Sequence, residues 1–185
     1  MRAAVLEATI IELTKTGYAA LTVEGVAQRA GVHKTTVYRN WKDSDGLVAE
    51  ALASHFAVDI PIPDTGAVES DLHALARSLV ATMTTQAGRA LLITVLSDAV
   101  RLPRLAKVKH ALFDDRFRRA EPVVTRAIER GELPADTDPA ELLKALAAPI
   151  YFRLVFTGEP VDGATADRAV HIALAAAHAR VLPAT

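Results

Sequence analysis

Apolar residues recur every three or four positions along most of this chain, the spacing of one face of an α-helix. Val5, Leu6, Ile10 and Leu13 make the first such face, with Glu7, Glu12 and Lys15 outward. This predicts a helix over 2–16, closed by Thr16-Gly17. Val23, Val26 and Ala27 make a shorter face behind Thr22, whose hydroxyl can cap a helix. Ala30-Gly31-Val32 interrupts the pattern, and Gly31 can take the positive φ that a sharp turn between helices requires. Val32, Val37 and Trp41 then carry a third face. Residues 22–41 thus read as two short helices around a tight turn. A further helix, about 44–58, carries Leu47, Val48, Leu52 and Phe56 and is capped by Asp43 or Ser44. The expected core of this region is Leu6, Ile10, Leu13, Val23, Val26, Val37 and Trp41.

Ile60-Pro61-Ile62-Pro63-Asp64-Thr65-Gly66 cannot continue a helix. Beyond it the helical period returns. Leu72, Leu75, Leu79, Val80 and Met83 predict a helix over about 67–86. Gly88 marks a break, and Leu91, Leu92, Val95, Leu96 and Ala99 predict a helix over about 89–101. Pro103 opens a long helix that ends near Arg130-Gly131, with Pro122 expected to bend it. Asp138-Pro139 is a cap followed by a first-turn proline. The helix it opens runs to Thr157-Gly158 and contains Pro149; a last helix covers about 165–181. No strand-like alternation and no internal repeat is present. The expected fold is all-α with about nine helices. Its divisions are a three-helix domain over 1–45, a connecting helix and proline-rich linker over 46–66, and a helical body over 67–185.

The polar positions of the second short helix carry the candidate chemistry. Lys34, Thr35, Thr36, Tyr38, Arg39 and Asn40 are cations and hydrogen-bond donors of the kinds that meet phosphates and base edges. Taken alone, the pair of helices is either a helix-turn-helix or an ordinary helical hairpin with a solvated face. The wider pattern is more specific. Gly17-Tyr18, Leu21-Thr22-Val23, Val26-Ala27, Ala30-Gly31-Val32, Thr36-Val37-Tyr38, Trp41 and Leu47 follow one another without gaps. This run resembles the DNA-binding domain of the tetracycline-repressor (TetR) family of bacterial regulators.

The resemblance implies a dimeric repressor whose C-terminal helical domain binds a small molecule and releases DNA. It implies phosphate-donating roles for Thr22, Thr36 and Tyr38, and places Lys34 and Thr35 toward base edges. Arg39 and Lys42 are expected to act as phosphate cations. The chain departs from the family pattern at several positions. His33 stands where a small capping residue usually opens the recognition helix, Thr35 where a small residue or proline is usual, and Ser44 where a lysine is frequent. Arg2 alone stands where some members carry a basic arm. His33 can cap the helix, meet a phosphate, or simply sit at the turn.

Charge first argues against a nucleic-acid partner, since the 185 residues sum to −1. Its distribution reverses that argument. Residues 1–42 hold six Lys/Arg (Arg2, Lys15, Arg29, Lys34, Arg39, Lys42) against three acids (Glu7, Glu12, Glu24). A basic head on an acidic body is the footprint expected if only the head meets DNA. Hydrophobic residues make up 51% and charged residues 23%, enough for a substantial core and too apolar for disorder. There is no cysteine, which excludes disulfides, thiolate metal sites and thiol nucleophiles. No basic-then-apolar leader and no uncharged apolar run of about 18 residues is visible, so a soluble, cytoplasmic protein without membrane contact is expected.

In the body, Met83, His110, Phe113, Phe117, Tyr151, Phe152 and Phe156 are the candidates to line an apolar effector pocket. The last two helices are candidates for a homodimer interface. Leu142, Leu143, Leu146, Ile150, Tyr151, Leu154 and Val155 lie on one, and Ala166, Ala169, Ala173, Ala176 and Ala177 on the other. In the family that the chain resembles, the corresponding helices pair across a two-fold axis. A dimer also suits a palindromic DNA operator, whose half-sites recur about 34–36 Å apart.

Catalytic patterns are weak. His171, His178 and Asp167 share a helix and are better read as surface or interface residues than as metal ligands. Asp114-Asp115 point to different sides of their helix, and no phosphate-cradling glycine loop occurs. No enzyme activity, metal or cofactor is expected. The alternatives to a ligand-released repressor are a dimeric DNA-binding protein without an effector and, more remotely, a helical enzyme.

Overall fold

The structure, a computed structural model, describes residues 1–56, 62–97 and 103–184. Their regular elements are all helical. In chain order they are α1 (Arg2–Thr16), α2 (Val23–Arg29), α3 (Lys34–Asn40), α4 (Ser44–Phe56) and α5 (Val68–Thr84). Then come α6 (Gln86–Ser97), α7 (Pro103–Glu129), α8 (Pro139–Phe152), a π-helical turn (Arg153–Thr157) and α9 (Gly163–His178). The all-α expectation and the nine helices are therefore found among the described residues. The expected ends of the connecting helix and of the helix over 89–101 lie partly outside those residues, as do Ile60, Pro61 and Ala99.

The helix boundaries follow local capping chemistry. The Thr22 side chain accepts the Gly25 N–H at 3.1 Å and opens α2. Of the two candidates for the start of α4, Asp43 does the capping, accepting the Gly46 N–H at 2.7 Å. Asp138 accepts from Ala140 and Glu141 ahead of Pro139, as its position predicts. Gly17, Gly31 and Gly158 close α1, the α2–α3 turn and the π-helical turn with φ of 73°, 66° and 66°.

Two boundaries differ from the sequence reading. Gly88 does not break the chain. The interruption is at Thr85, whose hydroxyl accepts the Gly88 N–H at 2.9 Å and so starts α6 three residues earlier than expected. A capping hydroxyl outweighed the weak helix propensity of one glycine. The last helix begins at Gly163, not near Thr165, because Asp162 and Thr165 form a reciprocal capping box.

That capping box carries a pH prediction. Hydrogen bonds from the Thr165 backbone N–H and hydroxyl favour the charged Asp162 carboxylate and hold its pKa below the ordinary value. The stability it contributes is present above the ordinary carboxylate range and is lost as pH falls through the lowered folded value. An Asp162→Asn variant should therefore lie closer to the parent in melting temperature in acid than at neutral pH. An equal difference at both pH values would remove the charge from the account.

The backbone divides into two compact units. One contains the described residues of Met1–Asp59 and Thr85–Phe113; the other contains those of Ile60–Thr84 and Asp114–Thr185. The described residues of 85–113 thus join the helix-turn-helix, although the sequence reading grouped them with the body. In the first unit Val5, Ala8, Val23, Val26, Ala27, Val37, Trp41 and Leu47 form one apolar cluster. Leu13, Val48 and Leu52 form another with Leu91, Val95 and Leu105 of α6 and α7. Leu13 therefore serves the second cluster, while Leu6 and Ile10 are only partly buried at the edges of the two.

In the second unit the core is built from α5, the later part of α7, α8 and α9. Leu72, Val123, Val124, Leu142 and Ile150 are fully buried. Ala166, Ala169, Ala173 and Ala177 put α9 against them with small side chains, which lets helix axes approach closely.

Candidate nucleic-acid interface

The helix-turn-helix is held from below and left open above. Val37 is the only fully buried residue of α3, and it sits among Val23, Val26 and Ala27 of α2. One anchor leaves the rest of a seven-residue helix free to face outward. Lys34, Thr35, Tyr38 and Arg39 are exposed and Thr36 is half-buried, with Tyr38 47% accessible. Thr22 is exposed at the head of α2. Because its oxygen accepts from Gly25, its hydroxyl proton remains available to an outside acceptor. Lys42 is exposed just beyond α3.

His33 resolves toward the capping role among the three left open. Its side chain occupies the N-cap of α3, with Nδ1 accepting the Thr35 N–H at 3.4 Å and lying 2.8 Å from the Thr35 hydroxyl. An imidazole nitrogen here does what a serine hydroxyl does at other helix starts. Asn40 is drawn back along the helix, donating to the Thr36 carbonyl at 2.7 Å.

The cations of the head divide into two kinds. Arg2 is bound in two directions: it donates to both oxygens of Glu50 at 2.8 and 2.7 Å, and its guanidinium lies 5.5 Å from the centre of the Trp41 ring. Arg29 pairs with Glu12 at 2.5 Å. Lys34 is 3.6 Å from Glu24, both side chains being more than half exposed, so this pair is weak and readily exchanged. Arg39 and Lys42 have no carboxylate partner among the described residues. Arg2 and Arg29 thus brace the head, whereas Lys34, Arg39 and Lys42, on or beside α3, are held weakly or by no carboxylate among the described residues.

Sequence reasoning missed Glu50. Its carboxylate accepts the Trp41 indole N–H at 2.9 Å while binding Arg2. A buried indole requires an acceptor, so the signal was Trp41 itself, but only the fold shows which carboxylate supplies it. It also missed a brace between helices. Asp43, already capping α4, takes Arg104 of α7 at 2.5 Å. Tyr18 donates to Asp45, two residues beyond Asp43.

The candidate effector residues fall in different places. His110 is exposed and Phe113 half-buried in the first unit. In the second, Met83 is buried and Phe117 packs on the edge of the core. Burial raises the Tyr151 phenol pKa above its ordinary value. Phe152 and Phe156 are instead 55% and 76% exposed, and stack on each other at 5.4 Å. Among the described residues no cluster of three or more histidines and acids is placed to hold a metal. Asp167 is engaged by Arg77 and His73, and His171 meets the His73 ring edge-on.

Comparison with known proteins agrees with this geometry. Residues 5–51 match the family model described as bacterial regulatory proteins, tetR family. Residues 62–173 match the model described as tetracyclin repressor-like, C-terminal domain. The chain is 30% identical over 174 residues to the HTH-type transcriptional regulator AqdR of Rhodococcus erythropolis, covering 94% of this chain and 83% of that one. It is also 30% identical to a DNA-binding transcriptional repressor TetR of Mycobacteroides abscessus, covering 91% of this chain and 88% of that one. Among solved structures, the TetR family transcription regulator SCO0332 superposes with a TM-score of 0.72 at 33% identity, over 94% of this chain and 96% of the other. A TetR regulator from Agrobacterium tumefaciens shares the fold with a TM-score of 0.75 at 23% identity, over 94% and 92% of the two chains.

Proposed function

The chain belongs to the TetR family of bacterial regulators and is a DNA-binding transcriptional regulator, and from that premise we propose that it is a homodimeric repressor released from a palindromic operator by a small, largely apolar effector. Proteins of this family are not enzymes. The observation that carries the reading is α3 itself, anchored inward by Val37 and by Trp41 at its C-cap and otherwise presenting Lys34, Thr35, Tyr38 and Arg39 to solvent. A helix so held fits a major groove. Thr22, Thr36 and Tyr38 donate to phosphates, Arg39 and Lys42 neutralise them, and Lys34 and Thr35 reach base edges.

The operator requires two such helices at a fixed spacing, hence two subunits. Phe152, Val155 and Phe156 near the end of α8, and Ile172 on α9, are large apolar side chains left exposed on the last two helices. The partner subunit covers them. The effector binds among Met83, Phe117 and Tyr151 of the second unit, and it must favour one separation of the heads over another, or it shifts nothing. No single helix among the described residues is long and apolar enough to cross a membrane, in keeping with a protein that works on DNA in the cytoplasm. The remaining alternative is a dimer that binds DNA without any effector.

Selection of bound duplexes from a random pool tests the proposal. A palindrome with half-sites one or more helical turns apart is the expected product, and an unselected pool would end the operator reading. Titration of the bound operator with small apolar compounds then separates the two dimer readings through release. Lys42→Ala should weaken binding to all sequences alike and reduce the slope of log affinity against log salt by about 0.9. An unchanged slope would show that Lys42 meets no phosphate.

A further inference from the structure

We propose that His33 fixes the direction of the hydrogen bond that Thr35 offers to DNA, so that Thr35 reads a base carrying an amino group in the major groove, adenine or cytosine. The inference rests on the reading of α3 as the groove-binding helix. The direction depends on which atom holds the proton. His33 Nδ1 faces two groups of Thr35, the backbone N–H at 3.4 Å and the hydroxyl at 2.8 Å. A backbone N–H can only donate. Nδ1 therefore presents its lone pair and carries no proton in this arrangement, which places the ring hydrogen of the neutral imidazole on Nε2.

The consequence passes to Thr35. A nitrogen lone pair 2.8 Å from Oγ1 requires the Thr35 hydroxyl to be the donor of that contact. Its single proton is then turned back toward His33. What Oγ1 presents outward is lone pairs alone, so an exposed threonine that could otherwise donate or accept becomes an acceptor. In the major groove the donors are N6 of adenine and N4 of cytosine; guanine and thymine offer acceptors at the corresponding positions. Thr35 is at the second position of α3, in the first turn, the part of a recognition helix that meets base edges. A serine at position 33 could cap the helix equally well, but its hydroxyl can also donate to Oγ1 and release the Thr35 proton outward. The departure from the usual small cap thus sets a specificity that the cap alone does not require. His33 is a positioning residue here, acting through Thr35.

The test is selection of bound DNA by the full chain and its variants. For the parent, one position in each half-site should favour adenine or cytosine on one strand by about fivefold, the size of one net hydrogen bond. Thr35→Val identifies that position, because its preference alone should disappear. His33→Ser, which keeps a cap, should relax the preference there toward guanine and thymine. His33→Asp, which keeps both the cap and an acceptor-only group, should retain it while lowering affinity overall. Helical content and melting temperature of each variant check that the head remains folded. The proposal is overturned if the Thr35-dependent position selects guanine or thymine in the parent, if His33→Ser leaves its preference unchanged, or if Thr35→Val alters no position. A pool from which no variant selects any sequence removes the DNA reading and this inference with it.

Discussion

Trp41→Ala is expected to destabilise the helix-turn-helix unit by about 3–5 kcal/mol and to abolish operator binding. Trp41 is 6% exposed at the end of α3, within the cluster that also holds Val26, Val37 and Leu47. Its removal leaves a cavity under the recognition helix, where Val37 alone cannot fix the helix angle. It also takes away the indole N–H that meets Glu50 and the ring beneath Arg2, so a largely exposed ion pair loses its wall. A loss of that size is a large share of the whole stability of a domain, about 5–15 kcal/mol. Trp41→Phe keeps most of the packing and gives up only the indole donor, so its cost should be nearer 1–3 kcal/mol. Chemical denaturation followed by far-ultraviolet circular dichroism, with operator binding on the same samples, reads both effects. A Trp41→Ala protein that melts and binds like the parent would show that the head is not organised from this residue.

Replacing both Phe152 and Phe156 by aspartate is expected to yield a folded monomer whose operator affinity falls by about 10²–10⁴-fold, the avidity lost when two linked heads become one. The two rings are stacked but stand outside the core of their own unit, so little folding energy depends on them. Opposed across a two-fold axis, however, introduced carboxylates would face each other and repel in a desolvated surface. Sedimentation measures the oligomeric state and fluorescence anisotropy the affinity. Should the variant remain a dimer with parental affinity, the proposed interface is in the wrong place. Should it unfold, the single change Phe156→Asp, at the more exposed position, carries the same test.

Much of this protein could be read along the chain. Gly31 between Val26 and Val37 specified a turn with the correct sign of φ, and Asp138-Pro139 specified a helix start to the residue. These are local events, decided within one or two turns of backbone. Where a local signal competed with another, the reading slipped. Gly88 looked like a break until the Thr85 hydroxyl was seen to cap α6, and Thr165 looked like a helix start although its partner Asp162 sets the boundary. The exposed polar face of α3 was legible because outward-facing donors on a short helix need no tertiary partner to be recognised. The aromatic candidates in the body were not separable in this way. The same residue type that is half-buried at Phe117 is largely exposed at Phe156, and helical period alone does not distinguish them.

The amino-acid order by itself determined the helices, their caps, the tight turn and the polar face of α3, since each depends on neighbours a few residues away. Only the tertiary structure decided that the described residues of 85–113 belong with the head, that Glu50 joins Arg2 to Trp41, and that Asp43 meets Arg104. An apolar stripe or a charged side chain announces that it needs a partner, but not which of many distant partners it will find. That choice is made by the packing of whole helices, in which burial of Leu91, Val95 and Leu105 against Leu13, Val48 and Leu52 outweighs the order of the chain.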